Sequence, residues 1–264
     1  MTRTFAALIG LAAAAALPGC MKEIAAYDAL PPTDNGPPAV VVRAAARAKG
    51  RIPNVKGAAE FQCELAASAS GLRARLGVAG TGYVVDSVLT PDGFAAYLTT
   101  QAKYVEGRFD DLPERIKPYV QFARGGYVDL LFPRMLPRRG ETCRCLGGRK
   151  HKLIEYYDLP EGTGPLRRRL WLDAATLRPV KLERYGSGRK VLVVEYLDYP
   201  PADDGGSPDG PDIPGRLRVT VPHVIAVGLT LKVVKPAPRL GAGALKLRPP
   251  ESAERVRVGA GSRK

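Results

Sequence analysis

The sequence is poor in the residues that build catalytic centres. Its 264 residues include two histidines, four cysteines and one tryptophan. His151 lies between two lysines and His223 follows a proline, and neither belongs to an H-E-x-x-H motif or an Asp/Ser pattern. The chain also lacks a G-x-S-x-G elbow, a P-loop and a G-x-G-x-x-G turn. We therefore predict no catalytic residue, no cofactor and no enzyme activity.

Metal-binding patterns are equally scarce. A Gly/Pro-rich loop at 203–212 holds several carboxylates, which are ligands that Ca²⁺ accepts. Their spacing is not that of an EF-hand, and such loops are usually solvated turns, so we predict no metal site. The aspartates of this loop are Asp203, Asp204, Asp209 and Asp212.

Aromatic residues make up 7% of the chain, and no aromatic-rich basic motif occurs. The net charge of +14 comes from scattered arginines and lysines. Without a recognisable motif, this charge does not indicate nucleic-acid binding. It favours anionic partners such as lipid headgroups, or it reflects composition alone.

No apolar run is long enough to cross a bilayer as a helix, which takes ~20 residues. The run from Phe5 to Leu17 follows Arg3 and ends in small residues, which is typical of a secretory signal peptide. The ending at 17–20, Leu-Pro-Gly-Cys, resembles the lipobox of bacterial lipoproteins. That resemblance implies cleavage before Cys20 and acylation of its thiol, so that the protein is anchored to membrane lipid. The alternative is an ordinary signal peptide with a chance cysteine.

Acylation of Cys20 would leave three cysteines, which cannot all pair. Cys143 and Cys145 would lie on one face of a strand, with Cα atoms roughly 6.5–7 Å apart, too far for an easy disulfide. One of them could bond to Cys63 in an oxidising compartment. Zinc ligands usually have two or more residues between cysteines, so buried thiols or one disulfide are favoured over metal.

The sequence divides into four parts. Residues 1–19 form the signal peptide, and 20–38 form the lipidated cysteine with a proline-rich flexible linker. Residues 39–248 form the domain, which begins with a predicted helix at 39–49 because apolar residues recur at helical spacing. Residues 249–264 form a loose basic tail.

Period-two alternation dominates the domain and predicts antiparallel strands joined by short turns. The clearest strands are 141–146, 150–157, 166–172, 178–185, 189–199, 216–221 and 225–233, with a short last strand at 244–247. A second helix is predicted near 110–125. Met135 and Leu136, in the basic loop after it, either contact a bilayer or pack into the core.

About ten strands in one sheet would leave a bare apolar face unless the sheet curls. We therefore predict a mainly β (α+β) fold: a strongly curved antiparallel sheet forming an open half-barrel, with one or two helices covering the concave face. The apolar residues expected to line its cavity and bind a ligand are Leu72, Leu76, Leu170, Leu172, Val180, Leu182, Leu217, Val219, Val221, Leu229 and Leu231.

The order of these segments resembles that of the LolA/LolB-type lipoprotein carriers. The resemblance rests on the lipobox, the linker and the paired rows at 171–185, 191–199 and 213–221, with Asp173 and Pro179 at the turn. It implies an open, eleven-stranded half-barrel that binds acyl chains of lipids or lipoproteins. Met21 stands where inner-membrane lipoproteins of some Gram-negative bacteria carry aspartate, which favours the outer membrane, facing the periplasm.

The favoured hypothesis is a non-catalytic, membrane-anchored lipoprotein that binds acyl chains, lipids or lipoproteins in an apolar cavity. The alternative is a structural or assembly lipoprotein with a solid interior that acts through protein contacts. An envelope hydrolase would need a pocket that joins His151 or His223 to a serine and a carboxylate.

Overall fold

The computed structural model describes residues 22–24, 39–50, 58–78, 82–112, 128–158, 164–200, 213–222, 225–241 and 243–258. These residues form fifteen β-strands. In chain order they are β1 Lys22–Ile24, β2 Ala39–Gly50, β3 Ala58–Ser68, β4 Gly71–Val78, β5 Gly82–Leu89, β6 Gly93–Leu98, β7 Lys103–Arg108, β8 Glu141–Gly147, β9 His151–Asp158, β10 Leu166–Asp173, β11 Pro179–Gly186, β12 Arg189–Leu197, β13 Arg216–Val221, β14 Ile225–Ala237 and β15 Glu254–Val258.

All fifteen strands belong to one curved sheet in the order β1-β8-β9-β10-β11-β12-β13-β14-β2-β3-β4-β5-β6-β7-β15. Every neighbouring pair is antiparallel except β15 and β7, which are parallel. The sheet does not close, because β1 and β15 lie at its opposite edges. The predicted mainly β, open, curved antiparallel sheet is therefore confirmed.

The hairpins from β8 to β14 follow the predicted strands within a few residues. The turn between β11 and β12 shows why the strands of this region can be predicted from sequence. Ser187 and Gly188 have φ angles of 51° and 73°. A two-residue hairpin turn with positive φ at both positions matches the twist of the flanking strands and favours glycine.

The predicted helix at 39–49 is wrong, because these residues form β2. From Val40 onward its side chains alternate, with Val40, Val42 and Ala44 buried and Arg43 and Arg47 exposed. The same sequence also fits a helical period, since small apolar residues occupy most of its positions. Hydrogen bonding to β14 on one side and β3 on the other overrides the helix propensity of alanine.

The second predicted helix, near 110–125, lies mostly outside the described residues. Just before and after it the described chain forms two 3-10 helices, Phe109–Asp111 and Val128–Leu130. Another 3-10 helix spans Thr99–Gln101. In the part of the chain that the structure describes, no α-helix covers the sheet and no helix is long and apolar enough to span a membrane.

Both ends of the domain extend beyond their predicted limits. Residues 22–24, assigned to the linker, form β1 and pair with β8. Residues 254–258, assigned to the tail, form β15 beside β7. The strand predicted at 244–247 is wrong, because this segment is a turn followed by irregular chain.

Candidate functional site: the inner face of the sheet

One face of the sheet, here called the inner face, carries the apolar core. It is built by alternate residues of successive strands, which point to the same side. Its fully enclosed members include Val40, Val42, Ile154, Tyr156, Leu170, Leu172, Leu182, Leu192, Val194 and Leu217, all at most 1% exposed.

Burial of the inner face differs between two regions of the sheet. From β9 to β12 its side chains have almost no solvent contact. From β3 to β6 Cys63 and Ala67 are buried, but the larger apolar side chains pack against the core and keep part of their surface exposed. These half-buried residues, here called the open row, are Phe61, Leu65, Leu72, Leu76, Leu89 and Phe94.

An irregular segment, residues 128–140, covers the buried region. Val128 and Leu131 belong to the core cluster, and Met135 packs against it. The hydroxyl of Tyr156 donates to the Met135 carbonyl, and that of Tyr196 donates to the Leu130 carbonyl at 3.1 Å. Of the two interpretations of Met135, packing into the core is therefore confirmed.

Arg168 also fixes this segment. Its guanidinium group donates to the carbonyls of Arg134 and Leu136, and to the Glu141 carboxylate at 3.0 Å. It stacks over the Tyr156 ring, with the guanidinium carbon 3.6 Å from the ring centroid. One buried arginine thus orders much of the chain over the inner face.

Ten of the eleven residues predicted to line a cavity belong to the core cluster or pack against it, and Val180 does not. Leu170, Leu172, Leu182 and Leu217 are at most 1% exposed, so they offer no surface to a ligand in this structure. Those that remain half-buried are Leu72, Leu76, Val219, Val221 and Leu231.

The outer face is polar and held by cross-strand ion pairs. Across β2 to β5, Arg43, Glu64, Arg75 and Asp86 are successive register partners of alternating charge. Glu64 lies 3.2 Å from Arg43 and 3.3 Å from Arg75. Opposite charges at directly paired positions stabilise a sheet. Burial alone would raise the pKa of Glu64, but hydrogen bonds from Tyr83, Arg43 and Arg75 lower it below its usual value.

A second ladder crosses β8 to β11. Arg144, Glu155, Arg169 and Glu183 are again successive register partners of alternating charge. Arg169 lies 2.7 Å from Glu155, and Glu183, with 3% of its side chain exposed, binds Lys181 and Lys190. Burial opposes ionisation of Glu183, yet hydrogen bonds from its partners lower its pKa below the usual value.

The three described cysteines are free thiols. Cys143 and Cys145 lie on the inner side of β8, next to Arg168. The neighbouring Cys145 thiol and the positive charge of Arg168 lower the pKa of Cys143 to about 7. Burial raises the pKa of Cys63, on β3, to about 11.

The described residues contain no cluster of His, Cys, Asp or Glu that could hold a metal ion. The loop at 203–212 and His223 lie outside the described residues. His151 opens β9 and pairs in register with Asp173. The Nδ1 atom of His151 is buried without a hydrogen-bond partner.

Sequence reasoning missed the arginines of the inner face. Arg168 alternates with Leu170 and Leu172 on β10, and Arg184 alternates with Leu182 on β11, so both occupy core-facing positions. An arginine in phase with the apolar residues of a strand was the available indication, because such positions are normally apolar.

No family model and no curated protein matches the chain. Among solved structures, a putative outer membrane lipoprotein-sorting protein domain from Vibrio parahaemolyticus is 12% identical, with a TM-score of 0.50; the match covers 79% of this chain and 89% of that one. The chain has the fold of that lipoprotein-sorting domain. A LolA superfamily protein from Nitrosomonas europaea is 14% identical, with a TM-score of 0.46 and coverages of 82% and 91%. The match to the lipoprotein-sorting domain thus supports the fold that the sequence resemblance implies.

Proposed function

We propose that this chain is a non-catalytic envelope lipoprotein that binds acyl chains on the open row of the inner face. The ligand is the hydrocarbon part of a lipid or of another lipoprotein. The acyl groups on Cys20 anchor the protein to the membrane, and the outer membrane is the favoured location.

The observation that supports this proposal is the incomplete burial of the open row. Apolar side chains on neighbouring strands β3 to β6 form a continuous surface at the mouth of a curved sheet. Contiguous exposed apolar surface of this kind marks binding sites in soluble proteins. Covering it with an acyl chain would contribute ~0.8 kcal/mol per buried methylene, before the cost of ordering the chain.

The position of β1 bears on the anchor. Only Met21 separates Cys20 from β1, so an acylated Cys20 would hold the β1–β8 edge within about 10 Å of the membrane, at ~3.3 Å per residue. Lys22 pairs in register with Gly147, beside the turn that carries the exposed residues Arg149 and Lys150. Basic residues near the surface of an anionic membrane add to the attraction provided by the acyl chains.

The experiment uses the full chain, expressed with its export sequence and purified from membranes in mild detergent. Native mass spectrometry should show a bound lipid, and the peptide that begins at Cys20 should carry the mass of its acyl groups. Titration with a fluorescent fatty acid should saturate. Leu72→Gln should weaken that uptake at least five-fold, because it places an amide in the open row.

Val193→Gln is the matched control, since Val193 is a half-buried apolar residue on the outer face of β12. It should bind the fatty acid as the unchanged protein does. Recovery of empty protein that also fails to take up fatty acid would overturn acyl-chain binding and favour the assembly lipoprotein. A Cys20 peptide without acyl groups would remove the anchor and leave the binding result standing.

A further inference from the structure

A pocket rich in arginine lies at one rim of the sheet, away from the open row. It occupies about 330 Å³ near the ends of β8 to β11. Four guanidinium groups line it, from Arg138, Arg167, Arg168 and Arg184, against only two carboxylates. The carboxylates are Glu141 and Asp158.

The carboxylates are already engaged. Asp158 accepts a hydrogen bond from Nε of Arg167 at 2.6 Å. Glu141 accepts from the Arg168 guanidinium at 3.0 Å and from the Arg138 amide at 2.9 Å. Asp129, which does not line the pocket, pairs with the Arg138 side chain. Among the described residues, the lining of the pocket therefore contains more guanidinium groups than carboxylates.

Two of the arginines are placed unfavourably towards each other. Arg168 and Arg184 are direct register partners on β10 and β11, both at core-facing positions. Like charges at directly paired positions destabilise a sheet. Loss of water around Arg184 lowers its pKa to about 10; the charges of Arg138 and Arg168 act in the same direction, and that of Asp129 opposes them.

One buried donor beside this pocket has no acceptor. The Arg168 side chain is only 5% exposed, and its Nε is buried without a hydrogen-bond partner. A buried donor is normally satisfied by protein, water or ligand. An oxyanion in the adjoining pocket would offset the charge repulsion between Arg168 and Arg184.

We propose that this pocket binds a phosphate group, either free or on the headgroup of an anionic phospholipid. Guanidinium groups recognise phosphate through paired N–H donors, and several of them converge here within one small pocket. The pocket uses different residues from the open row, so phosphate binding stands whether or not acyl chains bind.

The test is isothermal titration calorimetry of the full chain at constant ionic strength, with inorganic phosphate and with glycerophosphoglycerol, the deacylated headgroup of phosphatidylglycerol, as probes. Saturable binding of either probe is expected. Arg184→Gln should weaken it at least ten-fold. Arg189→Gln is the matched control, because it removes the same charge from an exposed position outside the pocket and should leave the affinity unchanged.

The two probes separate the sources of the phosphate group. Binding of glycerophosphoglycerol at least ten-fold tighter than inorganic phosphate assigns a headgroup, and equal affinity assigns free phosphate. If Arg184→Gln does not fold, Arg167→Gln serves instead, since that side chain is 45% exposed and its loss should leave the core intact. Absence of binding by both probes, or equal weakening by the pocket variant and the control, would overturn the proposal.

Discussion

The β2–β5 and β8–β11 regions of the sheet share one outer face and differ on the inner one. Each carries a four-residue ladder of alternating charge across four strands. Beneath the second ladder residues 128–140 cover the inner face. Beneath the first, β2 is buried, but the large apolar side chains of β3 to β5 remain half exposed. Since the outer-face ladders are alike, the exposed apolar surface is not a general property of the sheet. It belongs to one region, which makes that region the candidate for ligand binding.

The strongest test of the difference in burial between the two regions is to truncate one leucine in each of them. Leu170→Ala removes a side chain with no exposed surface and should lower the free energy of unfolding by about 2–5 kcal/mol. Leu72→Ala, in the open row, should cost only about 1–2 kcal/mol, because part of its surface is already in water. Urea unfolding measures both values.

Ligand addition provides the control for these two truncations. A saturating fatty acid should stabilise the unchanged protein and the Leu170→Ala variant equally, but Leu72→Ala less. Equal destabilisation by both truncations would mean that the open row is packed as firmly as the buried region. The comparison between the two regions would then fail.

Much of the sheet could be predicted from sequence because period-two alternation is strong from β8 to β14. β2 could not, since its alanines and valines satisfy the helical and the extended period equally well. Only pairing with β14 and β3, which are remote in sequence, decides between them. β15 could not be predicted for a related reason. It alternates over two valines only, and its parallel pairing with β7 has no local sequence cue.

Prediction of the candidate site from sequence is limited in the same way. Alternation correctly placed ten apolar residues on the inner face, because the face to which a side chain points follows from the two-residue period of a strand. It could not tell Leu72 from Leu170, since exposure depends on the segment 128–140 that lies over one and not the other. The pairing of Arg168 with Arg184 was hidden too, because it depends on the register of two strands.

The two ladders should differ in their response to acid. The pKa values of Glu183 and Glu64 are both lowered on folding, so each contributes stability that is present above the ordinary value near 4.5 and is lost as the pH falls through the lowered value. Glu183→Gln should cost about 1–3 kcal/mol at pH 7, because charged hydrogen bonds in a buried setting are lost. Glu64→Gln, in a more exposed pair, should cost less than ~1 kcal/mol.

Unfolding at pH 7 and again near pH 3 tests this difference. The Glu183→Gln variant should lose less stability on acidification than the unchanged protein, since it no longer has that carboxylate to protonate. Thr220→Ser, a mild change on the same outer face, controls for general perturbation of the sheet. If both glutamate variants keep the full acid sensitivity, the ladders do not set the pH response.

The smallest expected effect compares one thiol from each region. At pH 8 a thiol with a pKa of about 7 is mostly ionised, whereas one with a pKa of about 11 is ionised in roughly one molecule per thousand. The lower intrinsic nucleophilicity of a low-pKa thiolate offsets about two of these three orders of magnitude. Cys143 should therefore react with iodoacetamide on the order of ten-fold faster than Cys63.

Peptide mass spectrometry over a pH series measures both rates. The Arg168→Lys variant keeps the charge beside Cys143, so the midpoint of its pH profile should stay near 7. A Cys143 midpoint near the ordinary thiol value would mean that neither Cys145 nor Arg168 acts on it, and the two regions would then be alike in their thiol chemistry.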